Sequence, residues 1–187
     1  MVVIDVGSKV NALAVFKDPA TGELRLACGC EDEKVRVVDP VAGGEALLVI
    51  DTSAWSLAVF TDPATGAPRL ACGSRIADSD SDSDADVPPD GTVCIFDPVA
   101  GGEALVVLDV GGRALEVYTD PATGAPRLAC ASGKKVLIFD PVAGGDALLL
   151  LDIGAEVKAL AVFADPATGA PRLACGFYDR KVRVFDP

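Results

Sequence analysis

The sequence predicts an all-β protein built from four similar four-stranded antiparallel sheets. Three observations carry this expectation. Eleven residues, DPATGAPRLAC, recur from Asp62, Asp120 and Asp165, and a near copy, DPATGELRLAC, begins at Asp18. These starts are 44, 58 and 45 residues apart, and removing the acidic stretch 77–90 from the middle interval restores a regular spacing in the range of sheet-forming repeats. Within each unit the apolar runs are short, rich in Val, Ile, Leu and Phe, and bounded by Gly, Pro and Asp clusters, as strands joined by turns are. No long helical period occurs.

Taken in order in the third unit, strand a is ALEVY (Ala114 to Tyr118) and strand b is RLACA (Arg127 to Ala131). Strand c is KVLIF (Lys135 to Phe139) and strand d is ALLLL (Ala147 to Leu151). DPATGAP links a to b, with Pro where a turn needs φ near −65° and Gly where it needs positive φ. DPVAGGEA, at Asp39 and Asp97, and DPVAGGDA, at Asp140, link c to d with paired glycines. Strands b and d are apolar at successive positions, so both faces of each sheet are expected to be covered by neighbouring sheets arranged around an axis.

The first residues, MVVID, match the d strands LLVID, VVLDV and LLLDI, whereas the last run, KVRVFDP, is a c strand. The N-terminal strand is therefore expected to complete the last blade. It can do so in one chain, giving a four-bladed ring, or by exchange between two chains, giving an eight-bladed homodimer; the single-chain ring is the preferred expectation. An unpaired c strand would otherwise be an exposed edge.

With four a-b-c-d units and FDP or VDP closing each strand c, the chain resembles a WD-repeat β-propeller over nearly its whole length. Val38-Asp39, Phe96-Asp97, Phe139-Asp140 and Phe185-Asp186 stand where that family has Trp-Asp, and Asp32, Asp179 and Asp90 match its b–c turn acid. The family's Gly-His pair is absent and its strand-b Ser or Thr is Cys, so its hydrogen-bonded Asp, His, Ser and Trp network cannot form. Stability should rest instead on strand ladders and on apolar burial, worth about 25 cal/mol per Å². The resemblance implies one domain, residues 1–187, serving as a non-enzymatic protein–protein interaction scaffold.

Composition narrows the function classes. The net charge of −12 disfavours nucleic acid and anionic membranes as partners and suits basic or neutral protein surfaces. MVVIDVGSKV has neither the basic region nor the apolar run of a signal peptide, and no run reaches the roughly 18 residues of a membrane span, so a soluble cytoplasmic protein is expected. Histidine is absent, which removes the commonest general base and metal ligand. Cys28, Cys72, Cys130 and Cys175 occupy one repeat position, as reduced core residues would. No phosphate loop, nucleophile elbow or zinc motif occurs, and no cofactor, metal or catalytic residue is expected.

Two features invite chemistry. Asp78, Asp80, Asp82, Asp84 and Asp86 alternate through the insertion like the start of a calcium loop, but the glycine and glutamate such a loop requires do not follow. A solvated disordered loop is the expectation there, with phosphorylation of Ser79, Ser81 or Ser83 and weak cation binding as the other readings. Glu116 stands where the other a strands have Ala14, Ala58 and Ala161, and is expected to point into a wet central channel. No second acid beside it supplies the carboxylate pair of glycosidase chemistry.

The functional face follows from the meander. Successive turns alternate between the ends of a sheet, so the near-identical a–b and c–d turns share one face and the varied d–a and b–c turns share the other. Asn11, Trp55, Arg113 and Lys158 precede strand a in the four units, and Asp32, Asp179 and Arg180 lie in b–c turns; these are the expected partner-binding residues. Trp and Arg are enriched at binding hot spots. The rival expectations are a small-molecule binder or enzyme using the axial channel, and a product of repeat expansion without independent function.

Overall fold

The computed structural model describes residues 1–74 and 91–187. The acidic stretch 77–90, with the calcium and phosphorylation readings and Asp90, lies outside the described residues. The described chain is all β, with fifteen strands. Blade 1 comprises β1 (Val10–Lys17), β2 (Leu24–Cys30), β3 (Lys34–Val38) and β4 (Leu48–Asp51). Blade 2 comprises β5 (Ser56–Thr61), β6 (Pro68–Gly73), β7 (Val93–Phe96) and β8 (Val106–Leu108). Blade 3 has β9 (Ala114–Thr119), β10 (Pro126–Ser132), β11 (Lys135–Phe139) and β12 (Leu149–Asp152), and blade 4 has β13 (Val157–Ala164), β14 (Pro171–Phe177) and β15 (Val182–Phe185).

Every sheet is an antiparallel meander, with β9 pairing β10, β10 pairing β11 and β11 pairing β12 in blade 3. The expected a, b and c strands of this unit lie within the observed ones. Strand d starts two residues later than expected, because Leu148 N–H already donates to the Ile138 carbonyl (2.7 Å) as the chain leaves the turn.

The blades stack through their faces. The rear face of blade 1 (Phe16, Ala27, Val35, Val37, Ile50) packs on the front face of blade 2 (Leu70, Cys72, Phe96). The same residue types recur between blades 2 and 3, where Phe60, Ala71, Val93 and Ile95 meet Leu115, Leu128, Cys130 and Phe139. Between blades 3 and 4, Ala129, Ala131, Val136 and Ile138 meet Leu173 and Cys175. Successive apolar residues along strand b are thus divided between two cores, which is why the strand is apolar at successive positions after its arginine. The aligned cysteines each enter a different core, and burial raises the thiol pKa of Cys28, Cys72 and Cys130, and that of Cys175 to about 11. All six sulfurs are unpaired.

The expected closure within one chain by the N-terminal strand is not what the structure holds. Blade 4 has three strands, and residues 1–7 lie against the other end of the arc. Ile4 and Val6 cover Cys28, Cys30 and Val38 on the front of blade 1. The inner strands stack in the order β1, β5, β9, β13, and β13 does not pack on β1. The physical reason is that the interblade side chains fix how each blade stacks on the next, and the three steps among four blades leave the front of blade 1 and the rear of blade 4 uncovered.

Candidate functional site

The two ends of the sheets differ as the meander requires. On the face of the a–b and c–d turns, each blade repeats one device. Asp62 Oδ1 accepts from Ala64 N–H (2.9 Å) and Asp62 N–H donates to the Ala67 carbonyl (2.9 Å), closing the DPATG turn with Gly66 at φ 71°. Asp97 Oδ1 accepts from Val99 and Ala100 N–H (2.9 Å each), closing the c–d turn. The remaining oxygens meet on one side chain: Arg69 donates to Asp62 Oδ2 (3.2 Å) and to Asp97 Oδ2 (3.1 Å).

The same clamp joins Arg127 to Asp120 (3.0 Å) and Asp140 (3.4 Å), whereas in blade 1 Arg25 donates to Glu23 (2.7 Å) and lies farther from Asp18 (3.5 Å) and Asp39 (3.8 Å). Arg172 joins Asp165 to Asp186 in blade 4. Turn N–H groups, first Ala64, Ala122 and Ala167, hold the carboxyls of Asp62, Asp120 and Asp165 below the usual carboxylate range, and Ala42 N–H does so for Asp39. Sequence reasoning read these segments as turns alone and missed the arginine. The signal was present, because Arg opens strand b in all four units.

The opposite face carries the expected binding residues, one to a blade. Trp55 N–H donates to the Gly73 carbonyl (2.8 Å) and its side chain is about a third exposed. Arg113 N–H donates to the Ala131 carbonyl (3.1 Å), and its guanidinium reaches Glu156 of blade 4 (3.5 Å). Lys158 also pairs with Glu156 and lies 4.3 Å from the Tyr178 ring centroid, so Arg113, Glu156, Lys158 and Tyr178 form one cluster across blades 3 and 4. Asn11 is part-buried in β1, and its Nδ2 is buried with no hydrogen-bond partner among the described residues.

The b–c turn acids have local partners. Arg36 donates to both oxygens of Asp32 (2.9 and 2.6 Å), and this contact lowers the carboxyl pKa and raises that of the guanidinium. Asp179 accepts from Arg183 (2.7 Å) and from Lys181 N–H (3.0 Å). Arg180 is exposed and has φ 65°, the left-handed position that Gly133 fills in blade 3. Asp32 and Asp179 are thus parts of their own turns, while Arg180 projects from its turn.

Two further places have candidate chemistry. Glu116 is half-buried and shares the rear face of β9 with Ala114 and Tyr118, which pack in the core between blades 3 and 4. Burial raises its carboxyl pKa, and it forms no ion pair with a described residue. A groove of about 580 Å³, lined by Tyr118, Arg127, Leu149, Arg172 and Asp186 among others, opens between blades 3 and 4 on the uniform-turn face. It was not legible in the sequence, since it arises where two blades diverge. Among the described residues no group of three or more acidic, Cys or His side chains is placed to hold a metal, and no helix is long and apolar enough to cross a membrane.

No family model and no curated protein matches the chain. Many solved structures do, and they include β-propellers. One is BBS1N from its complex with ARL6DN, soaked with lead, at 15% identity and TM-score 0.65 over 100% of this chain and 52% of that one. The mercury-soaked form of that complex gives 13% identity and TM-score 0.66, over 98% and 52% of the two chains. BamB from Moraxella catarrhalis is 12% identical, with TM-score 0.60, over 97% of this chain and 48% of that one. The chain thus has the β-propeller fold and spans about half the length of these structures.

Proposed function

We propose that this chain is a non-enzymatic, cytoplasmic protein–protein interaction propeller of WD-repeat type, binding through the face of its d–a and b–c turns. One observation carries the reading. The blades place different groups at the same position on that face, Asn11, Trp55, Arg113 and Lys158, while the other face repeats a single Arg–Asp clamp. Chemistry that varies from blade to blade on a uniform frame suits recognition of an irregular protein surface, with Trp55 and Arg113 as anchors. The match to BBS1N, whose structure is a complex with ARL6DN, agrees with this class of function.

The test compares paired variants in an affinity capture from lysate, quantified by mass spectrometry. Trp55→Ala with Arg113→Ala abolishes capture while Tm falls by only a few degrees. Thr65→Ala with Thr123→Ala, on the other face, leaves capture intact. The reverse pattern, or loss on changing Tyr118 in the groove, places the binding surface on the uniform-turn face and overturns this assignment.

A further inference from the structure

We infer that two copies of this chain join end to end into a closed eight-bladed ring, each supplying the outer strand of the other's last blade. This rests on the fold and not on the binding role proposed above.

The two ends of the arc are open and complementary. On the rear of blade 4, Phe163 is 45% and Val182 is 69% exposed; their equivalents on blade 1, Phe16 and Val35, are 5% and 0% exposed under blade 2. On the front of blade 1, Leu13 is 60% exposed, whereas its equivalent on blade 3, Leu115, is 8% exposed under blade 2. The exposed faces carry the same residue types, at the same register, as the faces that form the three interblade cores. Each end is one half of an interface that the molecule already makes three times.

Residues 1–7 pair with no strand of their own chain, yet they lie on blade 1 where the fourth strand of a preceding blade would lie. Leu48 of β4 packs on Gly101 in the c–d turn of the next blade, and Val106 of β8 packs on Gly144; Val2 and Ile4 pack in the same way on Gly43. Ile4 lies on Val38 and Cys28 as Ile50 lies on Phe96 and Cys72. Asp5 Oδ1 accepts from Gly7 N–H (2.8 Å) as Asp152 Oδ1 accepts from Gly154 N–H (3.0 Å). Only the c strand beside it is missing, and β15 is a c strand whose outer edge pairs with no described strand.

The register follows from blade 1, where Val37 pairs with Leu48, Val35 with Ile50 and Lys34 with Asp51, the last as an ion pair of 3.2 Å. Transferred by repeat position, Val184, Val182 and Lys181 of one copy face Val2, Ile4 and Asp5 of the other. The charges match as well as the apolar residues. Closure at two copies suits the lengths, because the arc covers 52% of the BBS1N chain and 48% of the BamB chain, so two arcs together match a propeller chain of that size. A head-to-tail contact that closes makes a ring rather than a filament.

Light scattering coupled to size exclusion is expected to give twice the 19.1 kDa chain mass at micromolar concentration. Leu13→Glu and the pair Phe163→Glu, Val184→Glu change side chains that are exposed in the single chain, so each variant should keep its β-sheet circular dichroism and run as a monomer. Mixing the two variants restores one good interface and a one-to-one dimer. Asp5→Cys with Lys181→Cys, oxidised, gives a covalent dimer on a non-reducing gel, which neither single variant gives. A wild-type monomer, an intramolecular 5–181 disulfide or an open-ended polymer would each overturn the inference.

Discussion

At the scale of single residues, stability on the uniform face depends on one guanidinium that joins two turns. Arg69 and Arg127 are mostly buried along the b strand and reach two carboxylates each, a reach that suits a planar fork and not an ammonium. Arg69→Ala, and equally Arg69→Lys, is expected to lower Tm by roughly 3–6 °C in a thermal melt. Acid should act through the same turns. The carboxyls of Asp39, Asp62, Asp120 and Asp165 titrate lower folded than unfolded, so their stabilisation is complete above the unfolded value and is lost as pH falls below about 4. Glu116 has the opposite sign. Burial raises its folded pKa, so ionisation above that value destabilises; Glu116→Ala should raise Tm at pH 7, with the gain vanishing near pH 4. Equal Tm for the two proteins at pH 7 would remove the burial argument.

At the scale of the element, strands and turns were largely legible because their chemistry is local. DPATG closes on its own Asp and Gly, and alternation along KVLIF places Val136 and Ile138 in one core and Leu137 in another. What could not be read is where an element docks. MVVID was legible as a d strand, but nothing within it says which blade it covers; that depends on the angle between blades. The Arg clamp was obscured for a related reason: its two acids lie seven residues before and thirteen after Arg127, and only the folded meander brings them together. A Cβ on Gly112 would lie 2.5 Å from Gly73 Cα and 2.8 Å from Val93 Cγ2, so Gly112→Ala should force blades 2 and 3 apart and lower Tm markedly. Deleting residues 1–6 should uncover Cys28 and Cys30, which then react with a thiol reagent under native conditions while Cys130 stays protected.

At the scale of the whole molecule, stability is a chain of nearest-neighbour interfaces. Leu128 is fully buried between blades 2 and 3, so Leu128→Ala should cost about 2–5 kcal/mol, read from denaturant melts. In the monomeric Leu13→Glu variant, hydrogen exchange should be fastest in blade 4, whose rear face is uncovered in the single chain. The two-faced layout of the candidate site was legible from the meander alone, and the structure places Asn11, Trp55, Arg113 and Lys158 on one end of it. The link through Glu156 between Arg113 and Lys158 was not, since it crosses from one blade to the next.

The sameness of the interblade cores has one more consequence. Each rear face presents the aromatic, small and β-branched set that each front face of Leu, Cys and an apolar strand-c end accepts, so the order of the units is close to commutative. A gene in which the second and third units change places should still encode a folded arc, and one that gains or loses a whole unit should change the arc's length without changing how it is built. For such a chain, recombination between its own repeats is a tolerated edit, and the arc can lengthen by copying.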